Sequence, residues 1–98
     1  MPKVRSRYLA FLREETKKLE EEIELSSNST INDYINELFR RYNGLRRYLL
    51  DGQGNLRDGI NVAVNGDVIR RSEYGNTILK DGDEVVVIPP IAGGSSFF

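Results

Sequence analysis

Hydrophobic and polar positions change period along this chain, and the changes mark its elements. Residues 3–9 alternate: Val4, Ser6 and Tyr8 share one parity, Arg5 and Arg7 the other, as in a strand with one wet face. Leu9-Ala10-Phe11-Leu12 is an unbroken apolar step, expected where the chain turns over the edge of a core. Arg13 to Glu22 is a charge run, expected as a solvated loop with a fraying turn of helix. Glu22-Ile23-Glu24-Leu25-Ser26 alternates again and predicts a second strand, so the chain opens on a hairpin.

After a polar break at 26–29 the period becomes helical. Ile31, Tyr34, Ile35, Leu38, Phe39 and Tyr42 fall at i, i+3, i+4, i+7, i+8 and i+11, one stripe of a helix facing a core. Thr30 precedes the stripe, where its hydroxyl can take an orphan backbone N–H, and Asp33 follows three residues on. Acidic Asp33 and Glu37 lie early, Arg40 and Arg41 late, in keeping with the macrodipole. Asn43-Gly44 is expected to close the helix, Gly44 supplying a left-handed stop.

Period two returns further on. Leu45 to Leu50 is ambiguous in period, with a short strand at Tyr48-Leu49-Leu50 as one reading, and Asp51 to Asn55 is expected as turns. Ile60, Val62 and Val64 alternate with Asn61, Ala63 and Asn65 in the next strand. Asn65-Gly66 is the favoured dipeptide of a two-residue hairpin and predicts a return through Val68-Ile69. Arg70 to Asn76 is polar and loop-like, and Asp81-Gly82-Asp83 turns the chain into a last strand, Glu84 to Ile88. The predicted order is β-β-α-β-(short β)-β with one helix.

One helix covers one face of a small sheet. Yet the last strand is apolar on both parities: Val85 and Val87 on one, Val86 and Ile88 on the other. An exposed apolar patch around Val86, Ile88 and Ala63 is therefore expected, and such a patch marks a partner site. Beyond the strand come Pro89-Pro90, Ile91-Ala92, Gly93-Gly94 and Ser95-Ser96-Phe97-Phe98. A packed domain has no structural use for a stiff exit followed by two glycines, so residues 1–88 read as one domain and 89–94 as a flexible tail.

Composition narrows the chemistry. The 98 residues suffice for one core. They contain no Cys and no His, which removes disulfides, thiolate nucleophiles, imidazole bases and the common zinc sites. A net charge of −1 gives no field that selects nucleic acid or an anionic membrane, and the arginine pairs 40–41, 46–47 and 70–71 read as solvated surface. Asp81, Asp83 and Glu84 fit no calcium loop and read as a turn, so no metal is expected. Neither a membrane span nor a signal segment is read, and the cytoplasm is the expected location.

Three stretches together carry a resemblance: Asn61-Val62-Ala63-Val64-Asn65-Gly66, Thr77 to Val85 with its Asp-Gly-Asp-Glu-Val turn, and Pro89 to Gly94. They resemble the β-grasp sulfur carriers, that is, the small subunit of molybdopterin synthase and its relatives, including the ubiquitin-like small archaeal modifiers. The resemblance covers nearly the whole chain. It implies an α+β ubiquitin-like β-grasp fold, a mixed four- to five-stranded sheet with one main helix packed on one face. It also implies a carrier that catalyses nothing itself. An E1-like enzyme would use ATP to adenylate Gly94, with Gly93 its neighbour, and the carboxylate would become a thiocarboxylate or be joined to a lysine. Implied partners are that enzyme and either a molybdopterin synthase large-subunit-like protein or target-protein lysines; no cofactor is bound, and nucleic acid and membrane are not expected.

Physical reasons accompany the implication. Glycine has no Cβ to obstruct a narrow channel, and its carbonyl is open to attack on either face. Pro89 and Pro90 hold the exit extended, so less entropy is lost on docking, and Ile91 is the expected anchor in a partner groove. The family pattern ends at Gly-Gly, whereas Ser95 to Phe98 follow here. Gly94 has a free carboxylate only after those four residues are removed, so a processing protease is expected, with Phe97-Phe98 either its handle or apolar residues that dock on a partner or on the sheet patch. The competing reading is an interaction domain that kept the fold and lost the chemistry.

Overall fold

The computed structural model describes residues 1–90. Among them, five strands form one mixed sheet in the order β2-β1-β5-β3-β4: β1 is Lys3–Arg7, β2 Glu20–Glu24, β3 Asn61–Val64, β4 Asp67–Ile69 and β5 Glu84–Ile88. The second hairpin and the last strand stand where the alternation predicts, and β1 and β2 pair antiparallel as expected with β2 shifted towards the charge run. β1 and β5 run parallel at the centre, a pairing no tight turn can close, so the rest of the chain makes the crossover.

Helix α2, Ile31–Arg41, buries the predicted stripe from Ile31 to Phe39 against the inner face of the sheet. Its start is a full capping box: the Thr30 hydroxyl accepts from the Asp33 N–H at 3.3 Å, and the Asp33 carboxylate accepts from the Thr30 N–H at 2.8 Å. Val4 and Tyr8 from β1 and its edge, Ile23 from β2, Val62 from β3 and Val85 and Val87 from β5 complete the core.

Several expectations are corrected. The apolar step and the front of the charge run form a helix, α1 (Ala10–Thr16), whose inward residues are Leu12 and Thr16. The rest of the run opens β2 two residues early. Glu20, Glu22 and Glu24 lie opposite Arg7, Arg5 and Lys3, so cross-strand charge pairs support a strand that carries little apolar surface. Gly44 makes no left-handed stop; α2 ends at Arg41 with Tyr42 as its cap, and a 3₁₀ turn, Asn43–Leu45, follows. A Cβ at Gly44 would meet only the end of the Glu15 side chain, which can swing aside. Tyr48-Leu49 belongs to a short helix, α3 (Arg46–Leu49), which turns Leu49 into the core, and only Leu50 makes a lone bridge, to Leu56. Arg71–Glu73 is a 3₁₀ turn, and it buries Tyr74.

Candidate functional site

The candidate site is the C-terminal end of β5 and the outer face of the sheet around it. The start of β5 is held rigidly. Asp83 accepts from the Lys80 N–H at 2.8 Å and from the Asn65 side-chain amide at 2.9 Å, while Asp81 accepts from the Lys3 N–H at 2.8 Å. Gly82 takes φ +87° at the tip of this turn, a conformation suited to glycine. These carboxylates are committed to backbone and amide donors that fix where the strand begins, which is the turn reading of Asp81 and Asp83.

Register then decides what surrounds the exit. Asn61 pairs with Ile88, Ala63 with Val86, and Arg7 with Val86 on the other side. Alternation turns Val86 and Ile88 outward, where both are half-buried, while Pro89 is half-buried and Pro90 exposed. Ala63 is only 6% exposed, so it floors the apolar patch instead of presenting it. The prominent member is Val68 at 60% exposure, opposite Ala63 on edge strand β4. Sequence reasoning missed Val68, although the signal was present: the two-residue Asn65-Gly66 turn, with φ of +52° and +88°, sets Val68 across from Ala63. Ile91, Gly93, Gly94 and residues 95–98 lie outside the described residues.

Beside this patch the outer face changes character. Lys3, Arg5 and Arg7 on β1 face Glu24, Glu22 and Glu20 on β2, and Arg7 reaches Glu84 at 3.7 Å. One half of the face is thus apolar and the other a chequered array of opposite charges. The arginine pairs are largely engaged within the molecule. Arg40 and Arg41 bind Glu37, Arg46 lies over Phe39, and Arg71 donates to three backbone carbonyls.

A polar cluster lies apart, where β2 meets α2. The Glu21 carboxylate accepts from the Tyr8 and Tyr42 hydroxyls, each at 2.6 Å, and from Lys18 Nζ at 3.0 Å. Burial pushes the Glu21 carboxyl up, but the bonds from Tyr42, Tyr8 and Lys18 outweigh it and hold the group below its ordinary range. Burial, then the bond to Glu21, pushes Tyr8 up. Both tyrosine hydroxyl protons go to Glu21, and the effect of the cluster is to fasten the opening hairpin to α2.

No helix among the described residues is long and apolar enough to cross a membrane. The profile of the ThiS family matches residues 6–94. Small archaeal modifier protein 3 of Haloferax volcanii is 34% identical over 70 residues, covering 71% of this chain and 75% of that protein. The sulfur carrier protein CysO of Mycobacterium tuberculosis is 34% identical over 71 residues, covering 70% and 76%. Among solved structures, a putative molybdopterin converting factor subunit 1 from Pyrococcus furiosus superposes with a TM-score of 0.75 at 31% identity, covering 93% of this chain and all of that one.

Proposed function

The chain belongs to the ThiS family, and on that premise we propose that it is a ubiquitin-like sulfur carrier whose reacting group is the carboxylate of Gly94. The observation that carries the reading is where the family match closes: at Gly94, six residues past a central strand that leaves the sheet through Pro89-Pro90. Processing that removes Ser95 to Phe98 frees the carboxylate. An oxygen of that group attacks the α-phosphorus of ATP on an E1-like enzyme, and pyrophosphate leaves. A sulfur nucleophile then displaces AMP from the acyl carbon and leaves a thiocarboxylate, which passes its sulfur to an acceptor in molybdenum- or tungsten-cofactor synthesis or a related transfer. The carrier supplies no acid or base, in keeping with a chain that lacks His and Cys, and binds no cofactor of its own. ATP-dependent activation is the reason to assign this work to the cytoplasm.

Val68, Val86, Ile88, Pro89 and Pro90 form the docking surface for the activating enzyme and for a molybdopterin synthase large-subunit-like acceptor, with Ala63 as its floor and Ile91 as the anchor beyond it. A second reading, conjugation of Gly94 to target-protein lysines, is favoured by the similarity to small archaeal modifier protein 3. Intact mass of the protein from its native cells tests both. A chain ending at Gly94 with one oxygen replaced by sulfur is expected for the carrier. Lysine isopeptides ending in Gly93-Gly94 in digests of cell extract are expected for the modifier. A chain that ends at Phe98 in every molecule overturns both and leaves an interaction domain.

A further inference from the structure

The register of β3 and β5 has a consequence beyond the last paired residues. Asn61 lies opposite Ile88; two residues further in each strand, the same antiparallel count sets Gly59 opposite Pro90. The atoms agree. A Cβ built on Gly59 would lie 3.1 Å from Pro90 Cβ, closer than ordinary van der Waals contact. Gly59 also has φ +88°, the left-handed region that L side chains avoid. Both the close approach and the backbone conformation favour glycine here, and the Pro90 ring rests against bare backbone.

The turn beneath that ring is itself fastened. The Arg71 guanidinium donates to the carbonyls of Leu56, Arg57 and Ile60, each at 2.9 Å. The Asn61 side-chain amide donates to the Gly59 carbonyl at 3.4 Å, and Ile60 is buried in the core. An exposed glycine turn pinned by one arginine to three carbonyls is more structure than a solvent loop needs.

We propose that Gly59 is a positioning residue for the tail: the Asp58-Gly59 turn, held by Arg71, seats Pro90 and sets the point and direction from which the reacting glycine is presented. This rests on reading Gly94 as the reacting residue. The two prolines fix their own φ angles and confine ψ at Ile88 and Pro89 to the extended region; within that region the seat selects one exit direction. Gly94 is four residues from Pro90 and six from Ile88. At about 3.5 Å per residue, its reach is ~14 Å from a seated Pro90 and ~21 Å from a free exit at Ile88. The volume it searches therefore shrinks roughly threefold, and its effective concentration at a docked partner rises by the same factor.

The test has two readouts. In the full chain, a nuclear Overhauser effect between the Gly59 α-protons and the Pro90 ring protons is expected; its absence overturns the seat whatever the function. The second is ATP–pyrophosphate exchange by the E1-like enzyme, using chains processed to Gly94. Gly59→Ala is expected to raise KM for the carrier about threefold with kcat unchanged, and to have no further effect in a Pro90→Gly chain. Equal effects of Gly59→Ala in both backgrounds, or a loss confined to kcat, would overturn the proposal. If Gly59→Ala does not fold, Arg71→Ala takes its place in the same cycle, with the same outcomes. An enzyme that leaves the unaltered chain unreacted refutes the functional reading, and the Overhauser measurement then decides the seat alone.

Discussion

Ser6 and Tyr34 are both fully buried, and their hydroxyls bind each other across the interface between β1 and α2. Burial pushes the Tyr34 hydroxyl up in pKa, with the Ser6 bond opposing, so the pair is neutral at any ordinary pH. Tyr34→Phe removes one partner and leaves the Ser6 hydroxyl dry and unpaired. The expected loss is about 1–3 kcal/mol in urea unfolding, and Ser6→Ala added to Tyr34→Phe should recover part of it. Half of this pair was legible in the sequence. Parity turned Ser6 inward with Val4 and Tyr8, and the helical stripe turned Tyr34 inward. That the two would meet was not legible, because the position of α2 over the sheet is set by packing of distant segments. The same holds for Glu21. It sits in a charge run that reads as solvent-facing, and only the folded chain brings Tyr8, Tyr42 and Lys18 around its carboxylate.

At the scale of the element, α2 shows which signals survive folding. Its stripe and cap were readable because eleven residues repeat one period and the capping box is local in sequence. α1 was not readable: seven residues give two inward positions, Leu12 and Thr16, too few to establish a period against the charges around them. α3, at four residues, gives fewer still. The charges on α2 make a pH prediction. Hydrogen bonds from Arg40 lead in lowering the Glu37 carboxyl from 4.5 to about 2; burial opposes them, and Arg41 adds to them. A depressed carboxylate contributes stability above its unfolded value and loses it as pH falls through the folded one. The Glu37 contribution should therefore be complete above pH 4.5 and fade towards pH 2. Arg40 is 70% exposed, so solvent screening limits the effect to about 0.5–1 kcal/mol. Glu37→Gln is expected to flatten the acid limb of stability in circular dichroism titrations by that amount while leaving the remainder, to which Glu21 contributes with the same sign, in place.

For the whole molecule the question is which face a partner covers. Among the described residues the three helices pack with the inner face of the sheet into one core, and none of them covers the outer face. Those side chains divide it, with Val68, Val86 and Ile88 towards β4 and the tail, and paired Arg, Lys and Glu towards β2. The sequence foretold the apolar half from β5, where both parities are apolar, and misjudged only which residue of the second hairpin stands proud. A protein that takes hold of the tail after Pro90 meets the apolar half first, because Val86, Ile88 and Pro90 follow one another along one side of the strand. Val68→Asp separates this interface from stability. Val68 lies on a short edge strand and is mostly exposed, so the folded chain should change by no more than about 0.5 kcal/mol. Under a docked partner the same carboxylate would be desolvated without a counter-ion, and affinity for the activating enzyme should fall tenfold or more. Glu22→Gln, on the charged half, is the matched control and should change affinity less than twofold. Titration calorimetry with the activating enzyme reads both. Equal losses would mean that the partner spans the whole sheet, and a loss only from Glu22→Gln would move the docking surface to the hairpin edge, away from the tail.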